Sequence, residues 1–262
     1  MNTKISEVIE YLDAQFHPEY QESYDNAGFL LGNPSTQCTG VLTAVDLTQE
    51  VIDESIASRA NLIVTHHPFI FNGIKRITPH DTVGRLIFKL IENGISVYAA
   101  HTNLDNLPQG INGILGERLG LTDCHILQPM TDHDNIGAGM VGLLPHPVTT
   151  DQFLLQVKST LGLPVIRHSL IVTPTVQRIA ICGGAGAFLI PAAQKARADI
   201  YLTGDLKYHD FQRAEARITL ADIGHFESEQ FAPEIISSTI SKKFSTFACS
   251  ISQSGRNYVH YI

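Results

Sequence analysis

Apolar residues along this chain alternate between two rhythms. Ile5, Val8, Ile9 and Leu12 recur at helical spacing within residues 4–16, which predicts a helix with one buried face. Asp25-Asn26-Ala27-Gly28 then reads as a turn. Residues 40–46 form a dense apolar run, the pattern of a strand covered on both faces. Thr48 is a candidate cap for a following helix that buries Val51, Ile52, Ile56 and Ala60, and Leu62 to Thr65 is the next strand. A second round predicts a helix over 82–92 stopped at Gly94, a strand over 95–100, and a short helix over 111–120.

Residues 128–135 are polar and turn-rich, which places a boundary there and predicts two α/β halves, 1–128 and 129–262. In the second half, strands are expected at 136–144, 178–182, 200–203 and 218–223. Helices are expected at 153–161, from Gly186 to Arg197, at 208–216 and at 228–241. A terminal pair of strands, with the option of packing back on the first half, closes the chain. Strand–helix–strand–helix–strand thus occurs twice, and implies an α/β fold with parallel pairs.

The two halves also share words. Arg59-Ala60-Asn61-Leu62-Ile63-Val64-Thr65 leads into His66-His67, and Arg197-Ala198-Asp199-Ile200-Tyr201-Leu202-Thr203 leads into Gly204-Asp205. Each half then offers a His four residues before a carboxylate: His101 with Asp105, and His225 with Glu229. Ligands in open α/β sheets collect at the carboxyl ends of strands, where His66, His67, His101 and His225 are predicted to lie. His66 and His67 can serve one site only if the backbone turns at Thr65, because side chains of a regular strand alternate faces. Two imidazoles diverging from such a turn suit two neighbouring ions, about 3.5–4 Å apart, better than one. A mixed nitrogen and oxygen donor set without thiolate suits zinc, manganese, iron or nickel.

Gly183-Gly184-Ala185-Gly186 has two readings. It is first a tight turn needing positive φ, and second a backbone cradle for phosphate at a helix start.

Bulk composition narrows the function classes. With 262 residues, 44% hydrophobic and 17% charged, the chain is long enough for a sizeable core and lies outside the disordered class. A net charge of −8 argues against a nucleic-acid partner. No signal pattern opens the sequence and no run approaches the roughly 18 apolar residues of a membrane span, so a cytoplasmic protein is expected. The four cysteines are scattered, and small buried thiols are expected.

Thr65-His66-His67-Pro68, His101-Thr102-Asn103-Leu104-Asp105, Thr203-Gly204-Asp205 with Tyr208-His209, and Gly224-His225-Phe226-Glu227-Ser228-Glu229 resemble the Nif-three-like family, whose members are named GTP cyclohydrolase 1 type 2 homolog. Asp25-Asn26-x-Gly28 and Gly183-Gly184-x-Gly186 extend the resemblance over nearly the whole chain. It implies two α/β domains with a dinuclear metal centre between them, in a ring-shaped homohexamer. It also implies His66, His67, Asp105, His225 and Glu229 as ligands, with Glu229 bridging. His101 is left open between ligand, orienter of metal-bound water, and general acid or base. The expected function is that of a metal-dependent hydrolase of a nucleotide or related small molecule, with two divalent ions per chain. The alternative is a non-catalytic metal-binding or metal-delivery scaffold.

Overall fold

The computed structural model of the chain describes residues 3–262. It divides into two compact units, one comprising residues up to 104 with 232–256, the other 105–231 with 257–262.

In the first unit the chain forms α1 (Ile5–Phe16), β1 (Gly28–Leu31), β2 (Gly40–Ala44), α2 (Gln49–Ser58), β3 (Leu62–Thr65), α3 (Thr82–Glu92) and β4 (Ser96–Ala99). Thr48 caps α2 as expected, its hydroxyl accepting from the Val51 amide. Every residue of β2, β3 and β4 is buried, which explains their unbroken apolar sequence. Leu42, Ile52, Ile63, Leu90 and Val97 form the centre of this core. The three strands pair parallel and in register, Ala44 against Thr65 and Thr65 against Ala99, so all end at one sheet edge. A single turn, α4 (Thr102–Asp105), follows His101.

The second unit continues with α5 (Ile111–Arg118), β5 (Thr122–Met130), β6 (His133–Thr149), α6 (Thr150–Leu161), β7 (Arg167–His168), β8 (Thr175–Ala185), α7 (Ile190–Lys195), β9 (Ile200–Gly204), α8 (Tyr208–Arg213), β10 (Thr219–Asp222) and α9 (His225–Glu229). Its sheet runs β5-β6-β8-β9-β10-β7, with β8, β9 and β10 parallel. The chain then re-enters the first unit through α10 (Ala232–Lys243) and β11 (Ala248–Ile251). β11 pairs parallel with β2 and completes a sheet in the order β1-β4-β3-β2-β11.

The duplicated rhythm is therefore a duplicated topology: β2-α2-β3-α3-β4 in one unit repeats as β8-α7-β9-α8-β10 in the other. Three expectations shift. The turn-rich segment near residue 130 is the tip of a β5–β6 hairpin, with Asp132 at φ 65, and the first unit ends at 104. β5 escaped the apolar pattern because it is an edge strand with mostly exposed residues. The helix expected over 228–241 is split into α9 and α10. Finally, β11 is the one terminal strand among the described residues. The chain after it is held by Glu54, whose carboxylate accepts from Ser252, Gln253 and Ser254. Among the described residues no helix is long and apolar enough to cross a membrane.

Candidate metal-binding residues

The common edge of β2, β3 and β4 assembles a histidine cluster in the first unit. His66 and His67 follow β3, and both of their amides approach the Val45 carbonyl, at 3.1 and 2.9 Å. Consecutive amides of a regular strand point opposite ways, so the backbone has turned at Thr65, as the shared use of both rings requires. The Thr65 hydroxyl locks the turn by donating to the His67 carbonyl at 2.8 Å. His101 arrives from β4 one residue past Ala100. The three rings lie 5.0, 5.3 and 5.5 Å apart by centroid, and each offers a nitrogen within 4.8 Å of the others. His66 is fully buried, while His67 and His101 are partly exposed.

Each imidazole is oriented through Nδ1. The Ala100 carbonyl lies 2.8 Å from His66 Nδ1, Asp46 Oδ1 lies 2.7 Å from His67 Nδ1, and Asp25 Oδ1 lies 2.7 Å from His101 Nδ1. Oxygen acceptors there fix the Nδ1–H tautomer and put the ring's lone pair on Nε2, the arrangement that orients and strengthens a metal-ligating or proton-accepting imidazole.

Asp25 is the most elaborated of these partners. Its side chain is fully buried. Burial alone would raise its pKa. Hydrogen bonds from His101, Thr102 and the Asn26 amide outweigh burial and hold it at about 2, below the ordinary 3.8. Both the amide and the hydroxyl of Thr102 donate to Asp25 Oδ2, so the carboxylate also anchors the start of α4.

In the second unit the edge of β8, β9 and β10 carries the corresponding residues. His225 and Glu229 face each other across one turn of α9, with Nε2 and Oε2 3.0 Å apart. Asp205 Oδ2 lies 2.8 Å from His225 Nδ1, repeating the carboxylate–imidazole arrangement of the first unit. The His225 ring is thus held between two carboxylates. Glu229 is buried, and room for it is made by glycine. A Cβ on Gly184, which has φ +63, would fall 2.2 Å from Glu229 Oε1. The Gly184 amide donates to Ser228 Oγ at 2.9 Å, and that hydroxyl donates to the His225 carbonyl at 2.7 Å.

Gly183 and Gly184 therefore lie at the end of β8, with Gly184 shaped for close approach of a carboxylate and the two amides taken by Asn112 and Ser228, while Gly186 opens a 3-10 turn. The positive φ of Gly184 fulfils the turn reading. Asn112 ties the Asp105 carbonyl, at 3.1 Å, to the Gly183 amide, at 2.9 Å. Burial first, then the charges of Asp105 and Glu229, push the Cys182 thiol up to about 12. That places both carboxylates in its surroundings and keeps it a thiol. Cys124, in contrast, is exposed, so the expectation of buried cysteines fails there because β5 lies at a sheet edge.

Sequence reasoning singled out the six residues but not the roles of Asp25, Asp46 and Asp205. Their signal was present: each lies in or beside a strand-end motif, yet a single carboxylate has no periodicity to mark it. His168 and His209 are exposed and bond locally to Ser169 and Gln212.

Comparison with known proteins agrees with this fold and with the family resemblance. The model of the Duf34/NIF3 (NGG1p interacting factor 3) family matches residues 3–257. A Clostridium perfringens protein named GTP cyclohydrolase 1 type 2 homolog is 34% identical over 229 residues, covering 86% of this chain and 87% of its own. One of the same name from Streptomyces coelicolor is 33% identical, over 86% and 81% of the two chains. Among solved structures, a hypothetical protein of Staphylococcus aureus superposes with a TM-score of 0.94 at 29% identity over 100% of both chains. Reduced HcgD from Methanocaldococcus jannaschii gives 0.80 at 26%, over 95% and 98%.

Two outcomes follow. The drop of Asp25 from 3.8 to about 2 is worth on the order of 2 kcal/mol, present above the unfolded value and lost as pH falls through about 2. The stability advantage of wild type over Asp25→Asn in urea titrations therefore shrinks below about pH 4 and is gone near pH 2. An advantage that stays constant across that range would refute the assignment. Gly184→Ala forces Glu229 off its seat, so calorimetric titration with zinc or manganese weakens by about tenfold or more even where circular dichroism is native.

Proposed function

Because this chain belongs to the Duf34/NIF3 family, we propose that it is a metal-dependent hydrolase acting on a nucleotide or related small molecule. His66, His67, Asp105, His225 and Glu229 would hold two divalent cations, of zinc, iron, manganese or nickel. The observation that carries this reading is the common orientation of the imidazoles: an oxygen acceptor holds Nδ1 at His66, His67, His101 and His225, and at the first three this leaves the lone pair on Nε2. The carboxylates of Asp105 and the buried Glu229 add the charge that divalent cations call for, and Cys182, held as a thiol, contributes no soft ligand.

Cations bound there supply Lewis acidity and lower the pKa of water toward neutrality. The chain's own task is to move the proton. Asp25 keeps His101 protonated at Nδ1, so Nε2 takes a proton from the attacking water and returns it to the leaving group. Asp25 stays ionised throughout and stabilises the imidazolium formed in between. With the glycine run filled by Glu229, Lys207, exposed at the start of α8, is the candidate for steadying a substrate phosphate or carbonyl oxygen.

A non-catalytic metal-binding or metal-delivery scaffold is the competing reading, and it predicts rapid metal exchange without product. The His101–Asp25 pair favours the hydrolase, because an imidazole oriented by a buried carboxylate is built to carry a proton. Six copies closing into a ring remain the proposed assembly.

Untagged protein purified without added metal is expected to carry about two metal ions per chain by mass spectrometry, and Glu229→Ala to lose most of them. Light scattering on the same samples is expected to give a hexamer mass. Absence of metal in both proteins, and after reconstitution, would remove the metal reading. His101→Asn is expected to keep its metal while hydrolysis across a nucleotide panel headed by GTP falls about 10²–10⁴-fold. A metal-replete wild type inert toward the whole panel would leave the scaffold.

A further inference from the structure

Beside His101 the first unit carries aromatic surface that metal ligation does not use. The Phe71 ring lies 6.1 Å from the His101 imidazole at 81°, and 6.4 Å from the Tyr24 ring at 47°. Phe71 is 42% exposed and Tyr24 60% exposed, so two large rings face water next to the candidate proton carrier. Neither neighbour lies parallel to Phe71, whereas a planar ligand can.

The placement of this ring is built in. Asn26 Nδ2 donates to the Ile70 carbonyl at 2.6 Å, fixing the residue before Phe71, and the adjacent Asp25 holds the His101 ring. One dipeptide thus sets both the imidazole and the aromatic loop. The same loop then exposes Lys75 and Arg76, a local positive pair in a chain of net charge −8.

We propose that Phe71, flanked by Tyr24, is the stacking platform for the nucleobase of a phosphorylated substrate, with Lys75 and Arg76 supplying positive charge for its phosphates. The inference rests on the hydrolase reading and specifies its substrate: a nucleotide recognised through the face of its base, held beside His101. Stacking tolerates any base because each has a π face, so the platform selects heterocycle from non-heterocycle more sharply than one base from another. The basic pair would favour a nucleotide over its nucleoside.

The chain contains no tryptophan, so Phe71→Trp places a sole indole fluorophore at the platform. In metal-loaded protein its emission is expected to be quenched saturably by GTP and by guanosine, and not by tripolyphosphate. Phe71→Ala is expected to weaken GTP binding by about tenfold or more, and Phe71→Tyr by no more than about twofold, with metal content equal to wild type. Lys75→Ala with Arg76→Ala weakens GTP and leaves guanosine unchanged. Equal GTP affinity in wild type and Phe71→Ala would overturn the platform, as would quenching by tripolyphosphate as strong as by GTP, or no binding of any of the four ribonucleoside triphosphates to wild type. Metal-dependent turnover that survives Phe71→Ala with unchanged affinity would sink the platform alone. A wild type that holds no metal would sink the hydrolase reading itself.

Discussion

Parallel strands paired in register must end on one line, and the candidate ligands of this chain hang from such lines. Ala44, Thr65 and Ala99 are register partners, or one step from it, so the residues that follow them leave the sheet at a single edge. Asp46, His66, His67 and His101 are within three residues of those ends. The second unit repeats the device with β8, β9 and β10, whose ends lead to the glycine run, to Asp205 and to His225. A slip in either register would move every one of these side chains together. The buried strands that set the register have no solvent-exposed face, and any slip would also unpair their backbone groups away from water.

The edge gathers the rings, and hydrogen bonds to Nδ1 decide what they can do. His66, His67 and His101 share one tautomer because an oxygen acceptor stands behind each Nδ1, and Asp205 stands behind that of His225. Three of those acceptors are carboxylates, which keep a ring that loses its Nε2 proton, or gains one, aligned throughout. His66 uses a backbone carbonyl instead, as befits a fully buried ring for which a second buried charge would be costly. Glu229 is accommodated by absence: Gly184 carries no side chain where the carboxylate sits.

The motifs were legible in the sequence because each combined an unusual residue type with a repeated position. His66-His67, the two His-x-x-x-acid pairs and the parallel strand rhythm are local features, readable from spacing. β5 was not legible, since an edge strand with little buried face has no apolar alternation to show. The hairpin it forms falls where the polar, turn-rich composition of residues 128–135 predicts a boundary between halves. The glycine run shows its turn locally, but not the carboxylate it makes room for, because Glu229 lies 45 residues beyond Gly184 in the chain.

The sequence by itself determined the helices and strands of both repeats, and the residues whose chemistry is out of the ordinary. Those properties depend on neighbours within a turn or a strand, which the order of residues specifies directly. Only the tertiary structure decided which carboxylates stand behind which rings: Asp25 with His101, Asp46 with His67, Asp205 with His225. It also decided that Phe71 lies beside His101 and that residues 232–256 return to the first unit. The carboxylate–imidazole pairings join residues up to 76 positions apart, brought together by strand order, and no local pattern in the chain encodes them.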